Sequence, residues 1–311
     1  MVKFLKKLSI YGTICFIIIT LVLIIFGGNI DYFYEKFTTP KTNSMIIGDS
    51  RALQGIQPNV LNKRLKSLDI DLPILNYSFT IAQAHIGPLY RKSILKKIEG
   101  KSKNGLFIVS LTPMMIASHH SKNNEKGEFI EANTPPHNML NVTMNPNYEY
   151  LLRNINYFHF KALFRKSSTM HKNGWLEAHN LPTNTNTLKE WKNLQLEMME
   201  GFERDYEISE YRKKSLDSLI KDLKKNGKVV LIRMPIEKEI LDLENIFYPE
   251  FDDFISETAH TNNIKYYNFT KSDAIKMNFT TYDGHHLNKE GGIQFTNALS
   301  DSISSIINKN N

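Results

Sequence analysis

Met45-Ile46-Ile47-Gly48-Asp49-Ser50-Arg51 is an apolar strand that runs into a glycine and then delivers a serine. Pro58 opens a helical segment soon afterwards (Pro58–Ser67), at a first-turn position where its missing N–H costs nothing. A strand ending in Gly-x-Ser ahead of a helix presents a hydroxyl at the C-terminal edge of a sheet, beside the free N–H groups of the turn. Open α/β sheets gather their sites at that edge. A serine hydroxyl is a weak nucleophile until a base activates it. The candidate base lies far downstream, in Asp283-Gly284-His285-His286-Leu287. Asp283 and His286 stand three apart, near enough in one turn for the carboxylate to orient the imidazole. His285 lacks that offset and is read as flanking the site, in reach of substrate or solvent. Either block alone also suits a plain turn, with Asp283 as a helix cap.

The chain between the two blocks alternates. Short, mostly apolar runs at Ser44–Gly48, Ile74–Phe79, Gly105–Leu111, Lys228–Arg233 and Ile264–Asn268 read as strands buried on both faces of a parallel sheet. Helical patterns fill Pro58–Ser67, Ala82–Glu99, Ile208–Lys225, Tyr248–Thr261 and Lys289–Asn308. This order predicts a three-layer α/β/α sandwich around a mostly parallel five-stranded sheet, with right-handed crossovers.

Residues 112–201 are too long for a simple crossover and are read as an insertion. Because it leaves the third strand at its C-terminal end, it must begin near the catalytic edge. Its first part is rich in Asn, His, Lys and Pro and reads as loop. The stretch Tyr148–Arg165, with Leu151, Leu152, Ile155, Phe158 and Leu163, reads as a helix, either packed on the core or serving as a lid or partner surface. Two arginines are assigned to substrate. Arg233 closes the fourth strand and is expected at the same edge as Ser50, holding a carboxylate or phosphate. Arg51, beside the nucleophile, either joins it or neutralises Asp49.

At the N-terminus, Lys3, Lys6 and Lys7 precede an apolar run, Ile10–Phe26, closed by Gly27-Gly28. The run is long for the core of a cleaved signal peptide, and no small-x-small cleavage site follows it. The reading is therefore an uncleaved membrane anchor over residues 1–28, a linker over 29–43, and a folded domain over 44–311. The lysine bias places the N-terminus in the cytoplasm and the domain outside the cytoplasmic membrane. Net charge is +7, of which residues 1–28 supply three lysines and no acid, leaving +4 without any basic block. That excludes an electrostatic case for nucleic acid. The one cysteine, Cys15, lies in the apolar run, so no disulfide can form within the chain. His119, His120, His137, His159, His171 and His179 lack metal-ligand spacing and are read as loop histidines. No metal or organic cofactor is expected.

Taken together, Gly48-Asp49-Ser50 and Asp283-Gly284-His285-His286 resemble the SGNH (GDSL-like) hydrolase superfamily, in the right order and over roughly Ser44–Ile307. The layout is similar to envelope-anchored members, including those that resemble the D-alanyl-lipoteichoic acid biosynthesis proteins. The resemblance implies a flavodoxin-like sandwich and a Ser50–His286–Asp283 triad, with backbone N–H groups of Ser50 and Ser78 binding the oxyanion. Ser78, in Asn76-Tyr77-Ser78, stands where the family has a glycine. The family's Gly-x-Asn-Asp after the third strand is replaced by Leu111-Thr112-Pro113-Met114. The implied activity is ester hydrolysis or O-acyl transfer on an acylated envelope glycan, cell-wall polymer or lipid. The alternative is an idle scaffold that partners a membrane acyltransferase.

Overall fold

The computed structural model describes residues 1–154, 167–270 and 281–309. Helix α1 (Val2–Ile30) leads to a 3₁₀ turn at Tyr34–Phe37 and strand β1 (Ser44–Ile47). Helices α2 (Ser50–Gly55) and α3 (Pro58–Arg64), β2 (Ile74–Asn76), α4 (Pro88–Lys97) and β3 (Gly105–Ser110) follow. The insertion holds β4 (Ala117–His119), α5 (Tyr148–Arg153), the hairpin β5 (Ser168–Met170) and β6 (Leu176–Ala178), α6 (Thr185–Asp205) and β7 (Tyr206–Ile208). The chain then runs through α7 (Glu210–Lys224), β8 (Gly227–Arg233), α8 (Lys238–Phe247), α9 (Phe251–Thr261), β9 (Lys265–Asn268) and α10 (Lys289–Lys309).

Five strands form one sheet in the order β2-β1-β3-β8-β9, and every pairing is parallel. All five expected strands are present. Alternation sends Met45, Ile47, Phe107, Val109 and Leu231 to one face, where they pack with Ile94, Leu216, Ile220 and Ile255. Ile46, Ile108, Val230 and Ile232 take the other face, with Leu61, Phe295, Leu299 and Ile303. Burial on both faces explains the near-continuous apolar runs. Each such side chain contributes about 1.5–3 kcal/mol by leaving water. The chain winds outward in opposite directions from β1 and β3, so a crevice opens between their C-terminal ends, where ligands of such sheets bind.

Helix boundaries moved where prolines sit. The pattern expected over Ala82–Glu99 becomes helical only at Pro88, in the first turn of α4. The one expected over Tyr248–Thr261 begins at Phe251, after Pro249, with the unread α8 before it. The insertion is clipped at its base by the antiparallel pair β4–β7, Ala117 opposite Ile208. Ile155, Phe158 and Leu163, like His159, lie outside the described residues.

The stretch expected to be a linker is packed instead. Phe33, Tyr34 and Phe37 are buried in the core. Lys36 is fully buried, its amine donating to the carbonyls of Asn76 and Gly174, 2.6 Å each. Three aromatic rings and an amphipathic lysine stem exclude water here, so this stretch between α1 and β1 belongs to the packed domain. Within α1, Val2–Gly27 is long and apolar enough to cross a membrane, and nearly all of it projects free of the domain.

Candidate active site

β1 ends at Ile47, and the chain turns at Gly48 into α2. A Cβ on Gly48 would come within 2.8 Å of the Ala52 Cβ and 3.0 Å of the Ser110 Cβ. Only glycine lets the turn sit this close to β3. Asp49 caps α2, its Oδ1 accepting from the Arg51 N–H at 3.0 Å, while Oδ2 accepts from the Thr112 hydroxyl at 3.0 Å. β1 and β3 are thereby locked at the switch point, and Ser50 becomes the first helical residue, half-buried with its hydroxyl outward.

The opposite wall is the turn Tyr282–Leu287. Gly284 holds it at φ +76°, a conformation side chains disfavour. Asp283 Oδ1 accepts from the N–H groups of His285 (3.0 Å) and His286 (2.7 Å), which fixes the turn from within. Its other oxygen meets His286 Nδ1 at 2.8 Å, and His286 Nε2 stands 2.8 Å from Ser50 Oγ. Burial works to raise the Asp283 carboxyl, but the imidazole and two N–H groups overcome it and hold it below the ordinary carboxylate value. Beside an ionised Asp283 the His286 Nδ1 carries a proton, and in the neutral ring Nε2 is then the nitrogen that can accept from Ser50. The structure thus brings Ser50, His286 and Asp283 into one hydrogen-bonded line, although Asp283 stands 233 positions after Ser50.

Sequence reasoning missed three groups around this line. Gln195, on α6, donates from Nε2 to Asp283 Oδ2 at 3.1 Å. Tyr282 stacks on the His286 ring at 5.8 Å, and Trp191 packs edge-on to Tyr282 at 6.1 Å. Trp191 and Gln195 are four apart on α6, so one helix face supplies both. The insertion therefore does reach the edge that holds Ser50, through α6. The signal was available: Asn184 as cap followed by Leu188, Trp191, Gln195, Met199 and Phe202 at helical spacing.

The expected oxyanion donors fare unequally. As the first N–H of α2, that of Ser50 has no carbonyl to meet within the helix. The Ser78 N–H, in contrast, donates to Asn76 Oδ1 at 3.1 Å. Asn76 is held in turn by its own amide, which donates to the carbonyls of Ala52 (2.8 Å) and Ile56 (3.2 Å).

The two arginines and His285 are not placed to meet substrate, which corrects their expected roles. Arg51 and Arg233 are 2% and 1% exposed and converge on Glu244, itself fully buried on α8. Arg51 reaches Glu244 Oε1 through Nη2 and donates from Nε to His285 Nε2 at 3.2 Å. Arg233 donates to Glu244 Oε2 and Asp252 Oδ1, both at 2.9 Å, and lies over the Phe251 ring. Nor does Arg51 neutralise the Asp49 carboxylate, since only its backbone N–H meets Asp49. A guanidinium at the end of an apolar strand needs a carboxylate to stay buried, and Glu244, on an unread helix, supplies it. Burial works to raise the Glu244 carboxyl, but the two guanidiniums hold it below its ordinary value. Burial and the adjacent Arg51 push His285 well below the ordinary imidazole range, so it stays neutral. Among the described residues, no three His, Cys, Asp or Glu side chains converge as a metal site.

No protein-family model matches the chain, and no curated protein matches it.

Proposed function

We propose that this chain is a membrane-anchored serine ester hydrolase or O-acyltransferase of the SGNH type, acting on acylated envelope glycans, cell-wall polymers or lipids. The observation that carries this reading is the unbroken line from Ser50 Oγ through the His286 ring to Asp283, two contacts of 2.8 Å. The strand order, with helices packed on both faces, supports the three-layer sandwich of that family. In the proposed reaction, Ser50 attacks the acyl carbonyl while Nε2 takes its proton, and Asp283 stabilises the imidazolium. The leaving alcohol receives that proton, giving an acyl-Ser50 ester. Water or a sugar hydroxyl, deprotonated by Nε2, then releases the acyl group. Helix α1 would hold the domain outside the cytoplasmic membrane with the N-terminus inside, beside membrane-bound substrates.

A second reading, an idle scaffold that partners a membrane acyltransferase, is favoured by the occupied donors. The Ser78 N–H is bonded to Asn76 and the Thr112 hydroxyl to Asp49. Losing one oxyanion donor typically slows acyl transfer by ~10²–10³. Intact-mass analysis of the full chain in detergent, after a fluorophosphonate probe, separates the two. An enzyme gives one adduct that disappears in Ser50→Ala. A chain that takes no adduct is the scaffold. A working site with a depleted oxyanion hole should turn over p-nitrophenyl acetate slowly and use acylated envelope material much better.

A further inference from the structure

We propose that residues 139–153 form a second membrane contact, seated among the headgroups and upper acyl chains of the leaflet nearest the folded domain. The proposal rests on α1 crossing the bilayer and is independent of the catalytic reading. From Leu8, just past the last flanking lysine, to Gly27, α1 covers about 30 Å, the thickness of the hydrocarbon core. Thr20 and Phe16 lie seven and eleven residues before Gly27, so about 10 and 16 Å beneath that leaflet's surface. Tyr148, the first residue of α5, is bonded to these two positions. Its hydroxyl meets Thr20 Oγ1 at 2.8 Å and its ring stacks on Phe16 at 5.3 Å. A spanning α1 therefore carries the start of α5 down with it.

The neighbouring surface suits that depth. Leu140, Met144 and Leu152 are 62%, 38% and 81% exposed, a concentration of bare apolar side chains within 13 residues. The loop and α5 move as one piece, because Glu149 accepts from the N–H groups of Leu140 (2.7 Å) and Asn141 (2.6 Å). Asn147 ties the same piece to the packed stretch before β1, meeting the Tyr34 hydroxyl and the Phe37 carbonyl. Cations stand at its border, as an anionic headgroup layer requires. Lys96 donates to the carbonyls of Met139 and Leu140, Lys92 lines the same hollow, and Arg153 pairs with Glu149. Exposed apolar residues with lysine and arginine beside them suit a segment lying in a bilayer interface.

Spin labels on the full chain test this, in a Cys15→Ser background and in vesicles of phosphatidylglycerol and phosphatidylcholine. Labels go at Leu152→Cys, at Ile18→Cys in α1, and at Asp301→Cys on α10, across the sheet from α1. Dissolved oxygen reports lipid exposure and a nickel chelate reports water exposure. The expected result is a Leu152 label that, like Ile18, meets oxygen several-fold more than nickel, while Asp301 shows the reverse. A Leu152 label that behaves like Asp301 while Ile18 remains in lipid overturns the second contact and leaves the anchor standing. Shielding of Leu152 from both reagents overturns it in favour of a protein cover. A water-exposed Ile18 label removes the anchor and the proposal with it.

Discussion

The turn Asp283–His286 separates two polar clusters built in opposite ways. On its outer side His286 faces Ser50, a half-buried residue at which the line of hydrogen bonds ends. On its inner side His285 faces Arg51, and beyond it the buried Glu244 and Arg233 pair with one another and with Asp252, which is partly exposed. Adjacent histidines thus have different chemistry, because successive residues of a tight turn point to opposite sides. The difference teaches that the inner cluster holds the turn still by buried ion pairs, while the outer one reaches a partly exposed hydroxyl.

The sharpest way to break this contrast is at the outer cluster. Ser50→Ala and His286→Ala should each lower ester turnover by about 10⁴-fold or more, since triad members act as a unit. Melting temperatures should stay at the parent value. Steady-state kinetics and a thermal melt on the same samples decide it, and retention of most of the rate in Ser50→Ala would remove the mechanism.

The inner cluster should answer in stability instead. Glu244→Ala strands two buried guanidiniums, a loss of about 3–5 kcal/mol. Urea unfolding measures it, and a change under 1 kcal/mol would mean that water or Asp252 suffices for both arginines.

Acid should act on the inner cluster through His285. His285 is held neutral in the fold but takes a proton near its ordinary value, about 6.5, once unfolded. The unfolded chain then binds more protons, so the stability His285 contributes is present above pH ~6.5 and is lost as pH falls below it. His285→Gln should flatten that part of the stability-against-pH curve and keep at least about a tenth of the activity, since the residue touches Arg51 rather than Ser50. A variant with no activity at normal stability would move the base to position 285.

The smallest effect is expected at Gln195. Its amide adds one hydrogen bond to the oxygen of Asp283 that also holds His286. Such a bond contributes about 0.5–1.5 kcal/mol, so Gln195→Leu should slow turnover by roughly two- to tenfold with little change in melting temperature. A larger loss would make α6 part of the substrate's binding wall.

The sequence by itself determined what depends on short-range pattern. Five apolar runs specified the strands, because a strand buried on both faces admits few polar residues. The order of Gly48-Asp49-Ser50 and Asp283-Gly284-His285-His286 named the three residues that meet at the sheet edge, because Gly-x-Ser turns and three-residue offsets are local geometry. Tertiary structure alone decided which neighbours those residues have. Arg233 read as a cation for substrate, and Arg51 as its companion or as the counter-ion of Asp49, until α8 folded Glu244 between them. The Ser78 N–H read as an open donor until Asn76, anchored on two α2-end carbonyls, turned its amide oxygen back onto it. Residues 29–43 read as a tether because their polar and aromatic mixture lacks periodicity, yet their rings and Lys36 found a core made by β2 and the insertion. For the arginines and the packed stretch the deciding partner lies on a different element, and for Ser78 it is a near neighbour, Asn76, held in place by Ala52 and Ile56. Desolvation and available acceptors therefore set the outcome.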